Sequence, residues 1–218
     1  MTILETILEE VSFIGSRAPL LFQRNRPSSS NGHPVMLYHG YFVNNFYMKE
    51  TVDYLEQEGF SADAQNYPFW KDLRTVAAQQ AEKIDAVCQK KGEKVSLIGH
   101  SLGGLVAVSC AQDHPDLIDT VIALGTPFKG TYSAYTQYPV TSCWQMLPQS
   151  SYLQEMQEKG FPSEVSFYAI ASRYEHIILP WHHALIPEKG NCYNIIVGDK
   201  GHASLISAKE LIGRILNG

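Results

Sequence analysis

A chain of 218 residues, 44% of them hydrophobic, is long enough to bury the core of one domain. A net charge of −5 and the lack of any Lys/Arg cluster argue against a nucleic-acid partner, and no apolar run reaches the length of a membrane span. The four cysteines, Cys88, Cys110, Cys143 and Cys192, are widely spaced with no C-x-x-C pair, so they read as buried thiols.

In chain order, Ile3, Leu4, Ile7, Leu8, Val11 and Ile14 recur at helical spacing with Glu5, Glu9 and Glu10 opposite. The pattern predicts an amphipathic helix that packs on its own domain or on another subunit. Its polar face is acidic, so any membrane contact would be weak and peripheral. The start lacks the basic, then apolar, then small-residue order of a secretory signal, and the expected location is cytoplasmic, with secretion of a processed form left open. Arg24 to His33 is loop chemistry. Pro34–Tyr38 is a short apolar strand, Phe46–Glu58 a helix stopped by Gly59, and Ser61–Asn66 a strand. Asp72 caps a long helix whose inner face is Leu73, Val76, Ala77, Ala81, Ile84, Val87 and Cys88, ending at Gly92.

Val95–His100 is then a strand and Leu102 onward an apolar helix that stops before His114-Pro115. Thr120–Leu124, Val165–Ala171 and Tyr193–Val197 complete the strands, and Ala208–Leu216 closes the chain as a helix. Gly125 to about Ser163 has no clear periodicity but many aromatics: Phe128, Tyr132, Tyr135, Tyr138, Trp144 and Tyr152. Apolar strands alternating with helices imply a mostly parallel sheet of about six strands, covered by helices on both faces. We expect one α/β domain over residues 1–218, with 126–163 as an insert or lid.

Between the third strand and its helix lies Gly99-His100-Ser101-Leu102-Gly103, a G-x-S-x-G pattern. A serine on a tight strand-to-helix turn presents its hydroxyl above the sheet, and only glycine fits two positions to either side. Ser101 is the candidate nucleophile. His202 follows the last strand and is flanked by Gly201, which makes it the candidate base. The acid should follow the strand before the last, where Glu175 stands; Asp199 is the fallback, only three residues from His202. Asp116 and Asp119 lie at the wrong end of their strand. Two N–H donors should hold the oxyanion, one from Leu102 and one from Tyr41 in the loop after the first strand. His39 reads as a loop-holding residue and His100 as pointing away from the hydroxyl. His176, His182 and His183 lack the spacing of a metal site, so no metal or organic cofactor is expected.

Four blocks carry a resemblance to a known family: Tyr38-His39-Gly40-Tyr41-Phe42, Gly99-His100-Ser101-Leu102-Gly103-Gly104, Leu124-Gly125-Thr126-Pro127-Phe128-Lys129-Gly130-Thr131, and Gly201-His202-Ala203-Ser204-Leu205. Together they resemble the lipases and esterases of the α/β-hydrolase fold, above all small bacterial triacylglycerol lipases. Glu175-His176-Ile177-Ile178-Leu179-Pro180 looks like the family's acid block, with Glu where Asp is usual. The resemblance implies hydrolysis of a carboxylic ester, lipid-like or acyl, through an acyl-enzyme. A thioesterase, an acyltransferase of the same fold and a non-catalytic binding protein are the alternatives, and the oligomeric state stays open.

Overall fold

The computed structural model describes residues 3–17, 31–137 and 140–218; most of the Arg24–His33 loop, and Tyr138, lie outside them. Six strands form one parallel sheet: β1 Pro34–Tyr38, β2 Ser61–Gln65, β3 Val95–His100, β4 Ile118–Leu124, β5 Ser166–Ser172 and β6 Cys192–Val197. Their spatial order is β2-β1-β3-β4-β5-β6. Every residue of β1 and β3 is buried, as expected of central strands covered on both faces.

The helices are α1 Ile3–Arg17, α2 Lys49–Gln57, α3 Leu73–Lys91, α4 Leu102–Asp113, α5 Thr141–Gln145, α6 Ser151–Lys159 and α7 Lys209–Asn217. One side of the sheet, through Met36, Tyr38, Leu97, Val121 and Phe167, packs on α3, α4 and α6. The other side, through Val35, Leu37, Ile98, Ile122 and Ile170, packs on α2 and α7. This alternation along β1 follows from the two-residue repeat of a strand. The chain leaves β1 toward β2 but resumes at β3 on its other side, and the crevice beyond the carboxyl ends of β1 and β3 is where such sheets place their sites.

Local chemistry sets the boundaries. Asp72 accepts from the Thr75 N–H at 3.1 Å to open α3, and Gly92, left-handed at φ 73°, closes it. The helix expected over Phe46–Glu58 is split: Asn44 accepts from the Phe46 N–H and holds a 3₁₀ turn, Asn45–Met48, ahead of α2.

Two expectations need correction. The aperiodic insert contains α5 and α6, and Ser150 caps α6 by accepting from the Leu153 N–H. Burial along the first helix also departs from its amphipathic pattern at the described positions. Thr6 and Glu10 are buried, while Leu8, Val11 and Ile14 are 62%, 65% and 52% exposed. The physical reason is a specific partner for the Glu10 carboxylate, described below.

Candidate active site

Four of the five candidate positions follow the carboxyl ends of four strands, Tyr41 after β1, Ser101 after β3, Glu175 after β5 and His202 after β6, and Leu102 opens α4. Ser101 stands at φ 53°, ψ −119°, the strained turn expected of it. The glycines around it are required by close approach. A Cβ on Gly99 would lie 2.4 Å from the Gly103 carbonyl oxygen, one on Gly103 2.3 Å from that of Tyr38, and one on Gly104 1.8 Å from Thr126 Oγ1. The last contact explains why the double glycine and the Gly-Thr-Pro block occur together.

Glu175 and His202 meet. His202 Nδ1–H donates to Glu175 Oε2 at 2.8 Å, and both side chains are almost wholly buried. Since an ionised carboxylate only accepts, this bond puts the ring proton on Nδ1 and leaves Nε2 as a base. The other oxygen, Oε1, accepts from the N–H groups of His176, Ile177 and Ile178 at 3.0, 2.8 and 3.0 Å. The turn after Glu175 therefore curls around its longer side chain, which accommodates the methylene that Asp would lack. Burial opposes ionisation of Glu175, but the His202 charge and hydrogen bond, with the backbone donors, hold its pKa below the ordinary value. Burial likewise opposes a charged His202. Glu175, followed by Glu10, outweighs it and raises the imidazole pKa. Asp199 does not compete: its side chain is 73% exposed and faces Lys200.

His100 anchors His202 to the serine turn, its Nε2–H donating to the His202 carbonyl at 2.9 Å with the two rings 5.0 Å apart. Burial, then the neighbouring His202, lowers its pKa to about 3, so it stays neutral beside the base. His39 is also neutral, lowered by burial to about 4, and donates from Nδ1 to the Gly40 carbonyl at 2.8 Å. Gly40 brings its loop against the serine turn: a Cβ there would lie 3.3 Å from that of Ser101. Among the described residues, neither the Tyr41 nor the Leu102 N–H donates to a protein acceptor, and no hydrogen bond joins Ser101 Oγ to His202. That last link is the one the arrangement leaves unclosed.

Three features have roles that the motifs around them did not specify. Gly125, at φ 55°, makes room for the base, since a Cβ there would lie 3.1 Å from His202 Nδ1. Thr131 ties the insert to the acid loop, donating to the Ile177 carbonyl at 2.8 Å and accepting from the Leu179 N–H at 2.9 Å. Beside the oxyanion loop, Tyr41, Phe42, Phe69 and Trp70 form a chain of ring contacts 4.6 to 5.3 Å apart, with Phe42 and Trp70 exposed. Insert aromatics divide: Phe128 and Tyr152 are buried packing, while Tyr132, Tyr135 and Trp144 are exposed. His183 is satisfied by the Gly130 carbonyl at 2.8 Å. Among the described residues no helix is long and apolar enough to cross a membrane.

Residues 71–190 match the PGAP1-like alpha/beta domain family. A 99-residue stretch, 45% of this chain, is 29% identical to the pimeloyl-[acyl-carrier protein] methyl ester esterase of Vibrio atlanticus, and it spans 38% of that protein's length. Among solved structures, the Bacillus licheniformis lipase BlEst2 in its mature form superposes with a TM-score of 0.70 at 17% identity, covering 90% of this chain and 94% of that one. Aspergillus fumigatus lipase B gives a TM-score of 0.71 at 15% identity, covering 89% of this chain and 56% of that one. These likenesses establish the α/β-hydrolase fold.

Proposed function

The chain belongs to the PGAP1-like alpha/beta domain family, and on that premise we propose that it is a serine hydrolase of carboxylic esters with Ser101, His202 and Glu175 as its triad. The buried 2.8 Å bond from His202 to Glu175, at the mouth of the strained serine turn, carries this reading. Ser101 Oγ attacks the ester carbonyl while His202 Nε2 takes its proton, and Glu175 stabilises the imidazolium. The Leu102 and Tyr41 N–H groups hold the oxyanion, each contributing about 3 kcal/mol to the transition state. The imidazolium gives its proton to the departing alcohol, and a water activated by the same ring then cleaves the acyl-enzyme to acid and free serine.

Residues 1–218 act as one domain in this reading, and the insert 126–163 forms a wall over the serine. The aromatic strip beside Tyr41 and the exposed insert tyrosines favour a lipid-like or acyl substrate over a small polar ester. The test is labelling by a fluorophosphonate probe, with turnover of p-nitrophenyl esters of graded acyl length. We expect labelling that Ser101→Ala abolishes, and hydrolysis that rises from short to medium chains. A wild type that resists labelling would overturn the reading; preference for a thioester over the matching ester would move it to a thioesterase.

A further inference from the structure

The turn that carries His202 is held by hydrogen bonds from several elements. The Ser172 hydroxyl donates to the Lys200 carbonyl, the Gly201 N–H donates to Ser204 Oγ at 2.9 Å, and His100 binds the His202 carbonyl. Tyr47 OH donates to the Ala203 carbonyl at 3.1 Å. The remaining N–H groups of Ala203 and Ser204 open the 3₁₀ turn Ala203–Ser207, where no intrahelical acceptor exists. Both donate to one carboxylate from the far end of the chain: Ala203 N–H to Glu10 Oε2 at 2.5 Å and Ser204 N–H to Glu10 Oε1 at 2.7 Å.

Glu10 is only 2% exposed. The neighbouring residue is shaped to admit it, for a Cβ on Gly201 would lie 2.6 Å from both Glu10 Cγ and Cδ. We propose that Glu10 is a positioning residue for the reaction above: it fixes the backbone of the His202 turn and sets a second negative charge behind the imidazole. Glu175 orients the ring from the side of Nδ1, and Glu10 holds the main chain from which the ring projects. This role rests on the reading of Ser101, His202 and Glu175 as the triad.

The charged and titratable groups around His202, its turn and Glu10 come from four elements. They are Glu175 and His176 from the acid loop, His100 from the serine turn, Tyr47 from the turn before α2, and Glu10 from α1. His176 Nε2 stands 3.9 Å from Glu10 Oε2. A carboxylate behind the ring favours the imidazolium, so its removal lowers the pH at which the base becomes free.

The experiment is the pH profile of kcat/KM on p-nitrophenyl butyrate for wild type, Glu10→Gln, Glu10→Asp and Gly201→Ala, with Val11→Ser as a surface control. For Glu10→Gln we expect the acid limb to move down by at least about 0.5 pH unit and kcat to fall roughly tenfold, with KM within about threefold. Glu10→Asp keeps the charge but shortens the reach, so its limb stays near the wild-type position while kcat drops. An unchanged limb in Glu10→Gln, or Gln and Asp variants that behave alike, overturns the role. Should Glu10→Gln fail to fold, Gly201→Ala drives the carboxylate away with its charge intact; the same downward limb is expected, and an unmoved limb overturns the proposal. Fluorophosphonate labelling separates the two readings. A wild type that does not label defeats the triad, whereas a Glu10→Gln variant with wild-type labelling and profile defeats Glu10 alone.

Discussion

The two oxygens of Glu175 do different work: one accepts three backbone N–H groups and the other is left for His202. A Gln at this position can keep the three backbone bonds through its carbonyl oxygen, but its amide then turns a donor toward Nδ1. That forces the ring proton onto Nε2, where no base remains. We expect Glu175→Gln to lower kcat by about 10³- to 10⁴-fold with little loss of fold, and Asp199→Ala to stay within about twofold of wild type. Because the His202 pKa is raised, the acid limb of wild-type kcat/KM should lie above pH 6.5, the ordinary value, and below it the base is lost to protonation. In Glu175→Gln that limb should shift down. Steady-state kinetics across pH checks both. Much of this site was legible in the residues: Gly99-His100-Ser101-Leu102-Gly103 specifies its own turn, and Glu175 and His202 each follow a readable strand. The backbone donors to Glu175 and Glu10 were not, since an N–H group leaves no trace in side-chain identity.

At the scale of elements, α4 is docked by its lack of side chains. Gly104 sits so close to Thr126 that Gly104→Ala must push α4 off the loop after β4. The expected cost is about 1–3 kcal/mol by urea denaturation, and Thr126→Ala, which removes the nearest atom, should recover part of it. At the opposite end of the sheet, His33 stands 3.2 Å from both Glu93 and Asp119, and Ser96 donates to Asp119 at 2.6 Å. The Asp119 hydrogen bond is the largest influence and outweighs burial, so the His33 pKa is raised. The contribution is therefore full below about pH 6.5, the unfolded value, and is lost as pH rises through the folded one. We expect His33→Gln to lower Tm at pH 6 and to leave it nearly unchanged at pH 9. The first helix shows where periodicity misleads. A 3.6-residue pattern identifies faces but not which positions are buried: Glu10, matched to two open N–H groups, is buried while Leu8, Val11 and Ile14 are exposed. The helices of the insert were missed because they are short, although Ser150 before Tyr152-Leu153 was a readable cap.

Across the whole molecule, the groups of the proposed site are gathered from residues 10, 41, 101, 175 and 202, while the sheet beneath them pairs mostly with sequence neighbours. Contacts of such separation close late in folding. On dilution from urea, we expect ester hydrolysis to return at least about twofold more slowly than far-UV circular dichroism, as strands and helices precede the seating of Glu10. Coincident traces would argue that the turn forms with the sheet. The bond from Ala203 to Glu10 spans 193 positions, so it also orders events during synthesis. A ribosome that has already delivered α1, the serine turn and the acid loop still holds a nascent chain without His202, the proposed base. On the proposed mechanism, ester cleavage waits until the turn at residue 202 has emerged and met α1.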